Sequence, residues 1–185
     1  MMRQSVVWPA LLLAIICFAG VLAAQNTGKT SSEFPRYFNP EDEDRGFAHA
    51  GPPSDAVLNA LLEAEEVKAS TSDLEGLSRE ELRKRFRAVR ISLSSEQEQD
   101  YLAQGLGKLT GADCDWFWII RVKRGRAQLL LFVNGLSVTV LQHMTNGYSD
   151  IRGDWATAGY TGMGIFRYDG HVYRRALQRT AERKP

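Results

Sequence analysis

Cysteine is scarce: the chain has two among 185 residues, and one of them, Cys17, sits in the apolar N-terminal stretch. Without that stretch Cys114 stands alone, and an intramolecular disulfide is excluded. Small exported domains commonly lean on such bonds, so the core has to suffice without one. An excess of charge of one sign is also missing. The 23 Lys/Arg against 22 Asp/Glu leave a net charge of +1, which excludes nucleic-acid binding driven by bulk charge. The three histidines, His49, His143 and His171, form no Cys/His pair at zinc spacing. Only one long apolar run occurs, so a polytopic membrane protein is excluded, and collagen-like periods are absent. What remains, 44% hydrophobic, 24% charged and 10% aromatic, is the composition of one ordinary globular domain.

Arg3 precedes the apolar run from Val6 to Ala24, which ends in small residues at Ala19, Gly20, Ala23 and Ala24 before polar Gln25. One positive charge, an apolar stretch and a small-residue exit predict a signal peptide over residues 1–24, cleaved after Ala23 or Ala24. The run is nearly as long as the roughly 20 residues of a spanning helix, but Pro9 and the small-residue end argue against an uncleaved anchor. Ala14, Ile15 and Ile16 ahead of Cys17 do not suit lipoprotein processing. The expected location is the periplasm or the outside of the cell, with the membrane met only through the signal segment before cleavage. Residues 25–109 carry 11 Lys/Arg against 16 Asp/Glu, and residues 110–185 carry 11 against 6. The simplest use of that asymmetry is neutralisation of one half by the other within a single fold.

Residues 25–53 hold Pro35, Pro40, Pro52, Pro53 and the acidic run Glu41 to Asp44, with no apolar period. This predicts a flexible tether. A globular domain over 54–178 and a short basic tail over 179–185 are expected to follow. Ser54 is placed to cap an amphipathic helix carrying Val57, Leu58, Leu61, Leu62 and Val67. Ser78 and Glu81 form a capping box ahead of a second helix with Leu82 and Phe86. From Val89 the period becomes two, with Val89, Ile91 and Leu93 on one side. Arg124-Gly125, Asn134-Gly135, Asn146-Gly147 and Asp169-Gly170 then punctuate the apolar runs as hairpin turns. A two-residue loop at Asn134-Gly135 would pair Val133 with Leu136, Leu131 with Val138 and Leu129 with Val140 on one face. At Asp169-Gly170, Tyr168 would oppose His171 and Phe166 would oppose Tyr173. The fold class expected is α+β: one or two N-terminal helices, then an antiparallel β-meander sheet or small sandwich of about six strands.

The order of an alternating strand, a polar turn ending in Asp100, the strand Trp116-Phe117-Trp118-Ile119, the turn Asn146-Gly147-Tyr148-Ser149-Asp150-Ile151 and the segment Phe166 to Tyr173 resembles uncharacterised secreted bacterial β-rich proteins, themselves similar to degenerate FG-GAP or VCBS-type repeats. The likeness spans residues 86–175 and rests on turn and strand chemistry. It implies an extracytoplasmic binding or structural module. The calcium loops of those repeats resemble Asp-x-Asp-x-Asp-Gly, whereas Ser94 to Asp100 lacks the glycine. Oxygen-bearing side chains at 94, 96, 98 and 100 suit Ca²⁺ in a loop, but in a strand they merely share a solvated side.

The chemical motifs point nowhere in particular. No Gly-x-Ser-x-Gly elbow, His-Glu-x-x-His helix or Rossmann fingerprint is present. Gly105-Leu106-Gly107-Lys108 lacks phosphate-loop spacing, and Gly159 to Gly164 reads as a flexible loop. Cys114 lies between Asp113 and Asp115, which disfavours a thiolate nucleophile. No catalytic residue, metal ligand or cofactor is expected. The residues left for a binding surface are Trp155, Tyr148, Tyr160, Tyr168 and His171, whose rings would stack on a glycan or a peptide if exposed. The function expected is a non-enzymatic binding or structural module of the cell envelope, partnered by an envelope protein or glycan and not by nucleic acid. The alternatives are an inhibitor or immunity-type protein acting on a secreted hydrolase through a loop at 143–150 or 156–164, and a hydrolase assembled from distant acidic and histidine side chains.

Overall fold

Residues 34–96, 98–111 and 114–182 are described by a computed structural model, so the predicted signal peptide lies outside the described residues. Among them, nine strands form two antiparallel sheets, accompanied by a few short helices. The chain runs β1 (Tyr37–Phe38), α1 (Glu43–Gly46), α2 (Asp55–Glu63), α3 (Glu65–Ala69), α4 (Thr71–Leu74) and α5 (Arg79–Arg83). It continues through β2 (Phe86–Ile91), β3 (Gln99–Gly105), β4 (Asp115–Lys123), β5 (Arg126–Gly135), β6 (Ser137–Thr145), β7 (Tyr148–Thr157), β8 (Tyr160–Tyr168) and β9 (Tyr173–Glu182). One sheet has the order β2-β3-β4-β5 and the other β1-β6-β7-β8-β9. The molecule is thus β-rich, with more strands than the six expected, and α+β fits it only loosely.

The helices are short for visible reasons. The Ser54 side chain accepts from the Val57 N–H, and Val57, Leu58 and Leu61 are buried, but Ala64 turns extended at ψ 138° and ends α2 after nine residues. At α5 the Ser78/Glu81 capping box is complete, worth about 1 kcal/mol. α2 covers the outer face of the four-stranded sheet, where Leu58, Leu61, Phe86, Trp118 and Ile120 form one cluster. A second cluster lies between the two sheets and draws on Leu102, Phe117, Ile119 and Val133 from one and Val138, Ile151 and Phe166 from the other. β4 serves both layers, which is why Trp116 to Ile120 is an unbroken apolar run instead of an alternating one.

Several expectations need correction. Residues 34–53 do not form a tether: β1 pairs with β6, and Phe38 (0% exposed) and Phe47 (5%) fill the inter-sheet core. Too few apolar residues are present there to show a period, yet the two aromatics suffice. Residues 25–33 lie outside the described residues. Asn134-Gly135 closes no hairpin. β5 ends there paired to β4, Asp115 opposing Gly135, and β6 starts in the other sheet with Ser137 opposite Asp154. The crossing is tight, since a Cβ on Gly135 would stand 2.5 Å from the Asp154 carbonyl oxygen. Leu131, Val133, Val138 and Val140 still meet, but across the core from facing sheets, while Leu136 is 39% exposed. A bulge between Ile119 and Ile120 shifts Leu129 to the helix side.

The Asp169-Gly170 turn is longer than two residues, with Tyr168 opposite Tyr173 instead of His171. Its Asp169 carboxylate accepts the His171 and Val172 N–H groups at 2.8 and 2.9 Å. Residues 160–168 are strand, not flexible loop. The tail expected at 179–185 is strand as far as Glu182, which pairs with Tyr160; residues 183–185 lie outside the described residues. Asn146-Gly147 does form its hairpin, with φ of 52° and 80° and Thr145 opposite Tyr148.

Candidate functional site

Two places gather chemistry. The first is a charged cluster buried at one end of the inter-sheet core. Arg121 on β4 is 5% exposed and bonds Asp100 Oδ1 at 2.9 Å and Glu98 Oε2 at 2.7 Å. Lys123 Nζ meets Glu98 Oε1 at 2.6 Å. The Arg121 guanidinium lies 4.3 Å from the Tyr148 ring centroid, and that ring lies 4.3 Å from Tyr168, which in turn packs 5.5 Å from Tyr173. Burial pushes the Asp100 carboxyl up against the pull of Arg121. Burial acts upward on Glu98 as well, but Lys123 and Arg121 outweigh it and hold its carboxyl below the usual value. Burial, reinforced by Asp100, pushes the Tyr173 phenol far above its ordinary range. It remains a donor, to the Ser149 carbonyl at 2.8 Å.

Asp150 on β7 forms a separate group beside it, turned to the exposed His143 and Arg167. It is 1% exposed, and its Oδ2 meets His143 Nδ1 at 2.8 Å and Arg167 Nε at 3.3 Å. Asp150 Oδ1 and Arg121 Nη2 are buried without a partner among the described residues. Ser94, Glu96, Glu98 and Asp100 line one shallow groove. Glu98 and Asp100 are already taken by Lys123 and Arg121, and among the described residues no group of three or more His, Cys, Asp or Glu is placed to hold a metal ion.

The second place is a cleft of about 160 Å³ where the five-stranded sheet extends past the edge strand β5. Gly153 and Trp155 on β7 alternate with outward residues, as do Gly164 and Phe166 on β8, so all four share one face. Gly153 opposes Gly164, and Trp155 opposes Gly162. A Cβ on Gly162 would stand 2.2 Å from the Trp155 ring, so the indole lies flat on a strand that only glycine leaves bare. Residues 132–134 of β5 close the other side, with Val133 facing Gly153 and the Phe132 ring turned to Trp116 and Trp118 on the helix side, and Asn134, Arg175 and Gln178 supply the polar rim. Arg175 Nη1 donates to Gln178 Oε1 at 2.8 Å, and its guanidinium stands 5.6 Å from the Phe166 ring centroid.

The five residues expected to offer a binding surface are divided between the two ends of the β7–β8 pair. Tyr148 and Tyr168 belong to the buried cluster, Tyr168 at 8% exposure. His171 is exposed in the β8–β9 turn, where its carbonyl accepts from Gln128 Nε2 at 3.2 Å. Trp155 lines the cleft, and Tyr160, 45% exposed, stands at the β7–β8 turn. They form no continuous row of rings. Arg175 and Gln178 were not singled out from the sequence, and Phe166 was read only as a hairpin partner of Tyr173. A usable signal was present: Gly162 and Gly164 stand two residues apart and so share one face of a strand, a pattern that leaves room for rings lying on the backbone. Comparison with protein families, curated proteins and solved structures returned no match.

Proposed function

We propose that the chain is an exported, non-enzymatic binding module of the cell envelope that takes its ligand in the cleft between β5 and strands β7 to β9. The observation that carries the reading is the composition of that cleft, aromatic below and polar at the rim, the usual make-up of a ligand site. The titratable groups of the interior are engaged with one another, and none of Glu98, Asp100, Arg121 or Asp150 lines the cleft. Export follows from the N-terminal pattern.

Amide NMR of residues 25–185 against a library of small acids, bases, neutral rings and oligosaccharides tests it. Shifts confined to residues 153–155, 164–166 and 175–178 are the expected result. Shifts restricted to the charged cluster, or turnover of any probe, overturn the reading. A runner-up draws on exposed Tyr160 at the β7–β8 turn, which suits insertion into a partner as an inhibitor would do. It predicts that a secreted hydrolase is inhibited by the chain and released by Tyr160→Ala.

A further inference from the structure

The charge that lines the cleft is of one sign. Arg175 is the one ionised side chain there, the amides of Asn134 and Gln178 and the indole of Trp155 can add N–H donors beside it, and no carboxylate lines the space. Arg175 spends one N–H on Gln178 Oε1 and one face toward Phe166. A guanidinium has five N–H groups in a planar fork that matches a carboxylate edge to edge. The rest of this fork has no partner among the described residues and is open to a ligand. Its neighbours bias its direction: the bond to Gln178, itself exposed, engages one nitrogen, and the Phe166 ring stands 5.6 Å from the guanidinium.

Size narrows the ligand further. A volume of about 160 Å³ is close to that of an apolar cavity of about 150 Å³ known to accept benzene. One flat ring fits and two do not. The faces awaiting it are aromatic, Trp155 pinned on Gly162 and Phe166 beside Gly164, which favours stacking of a planar, unsaturated group over a puckered sugar ring.

We propose that the cleft takes a compact flat ring bearing one carboxylate, the ring against Trp155 and Phe166 and the carboxylate on Arg175. This rests on the reading that the cleft is the binding site. The carboxylate has two possible sources, a free aromatic acid or the C-terminal aromatic residue of a peptide, and they share this chemistry.

Titration at pH 7 with benzoate, N-acetylphenylalanine, benzamide and benzylammonium, followed by amide NMR, separates the outcomes. The expected order places one of the two carboxylates first, at least about tenfold tighter than benzamide, in line with a charge-assisted bidentate pair, and benzylammonium last. Whichever of the two carboxylates binds more tightly identifies the source. Arg175→Gln is expected to abolish that advantage, weakening the carboxylates about tenfold and benzamide, which loses only a neutral hydrogen bond, by less. Arg175 is exposed on an edge strand, so the variant folds, and Gln178→Ala, which frees the guanidinium, is expected to weaken the carboxylates about threefold through lost pre-organisation. If benzamide or benzylammonium binds at the cleft as tightly as the acids, or Arg175→Gln leaves the order unchanged, the ligand class is wrong and the cleft remains the site. If no probe moves the cleft amides, both readings fall.

Discussion

At the scale of single residues, the buried charges are better understood as positioning devices than as a source of stability. Arg121 reaches from the four-stranded sheet to the rings of Tyr148 and Tyr168 in the other. Its Nη2 and Asp150 Oδ1 nonetheless lack partners among the described residues, and each such atom costs about 1–3 kcal/mol. Ion pairs of this kind contribute little net stability but punish the loss of one partner. Asp169 presents the opposite case, exposed yet strongly perturbed. Its carboxylate accepts the Val172 and His171 N–H groups, which hold its pKa down from 3.8 to about 2. A lowered folded value means the unfolded chain takes up the proton more readily. The contribution is complete above pH 3.8 and disappears as the pH falls through about 2. Asp169→Asn keeps an acceptor oxygen but removes the titration, so stability measured by urea unfolding between pH 4 and pH 2 should fall less steeply in the variant. An unchanged slope would mean the turn is not closed by this carboxylate.

At the scale of elements, glycines set where rings and strands fit. A Cβ on Gly162 would meet the Trp155 ring at 2.2 Å and the Arg179 carbonyl at 2.7 Å, whereas one on Gly51 would meet nothing within 4 Å. Gly162→Ala must therefore lift the indole and is expected to cost about 1–3 kcal/mol, as overpacking does, with loss of the near-ultraviolet signal of Trp155. Gly51→Ala should stay within about 0.5 kcal/mol. Equal urea midpoints for the two would show that the indole does not rest on β8. These contacts mark the limit of what a period of two reveals. Val89, Ile91 and Leu93 were legible as one buried side because alternation is a local property. The hairpin at Asn146-Gly147 was legible because its turn chemistry is local too. Asn134-Gly135 carries the same dipeptide, yet the neighbouring Asp154 carbonyl and a strand in another sheet decide its geometry, and neither is visible nearby in sequence. The cleft escaped notice for the same reason: Phe166 and Arg175 meet through the β8–β9 pairing, and residues 132–134 come from the facing sheet.

At the scale of the whole molecule, two sheets of unequal width explain both the core and the cleft. The five-stranded sheet extends past β5, so its inner face is filled from β6 to β8 and at Tyr173 and open along the rest of β9. The N-terminal segment closes the opposite edge, since β1 pairs with β6 and Phe38 meets Phe47 edge to face at 5.7 Å. Low apolar content made residues 34–53 read as a tether, but burial is decided by where two aromatics land, not by their frequency. If that segment is part of the fold, Phe38→Ala should cost about 3–5 kcal/mol, as for other buried aromatics. That corresponds to a fall in melting temperature of about 6–20 °C for a chain of this size. Tyr37→Ala, on the neighbouring residue that is 38% exposed, should lower it by no more than about 2 °C. Calorimetry decides between the two pictures: a single cooperative transition displaced only by the Phe38 change places β1 in the core, while equal and small displacements would return the segment to the role of a tether.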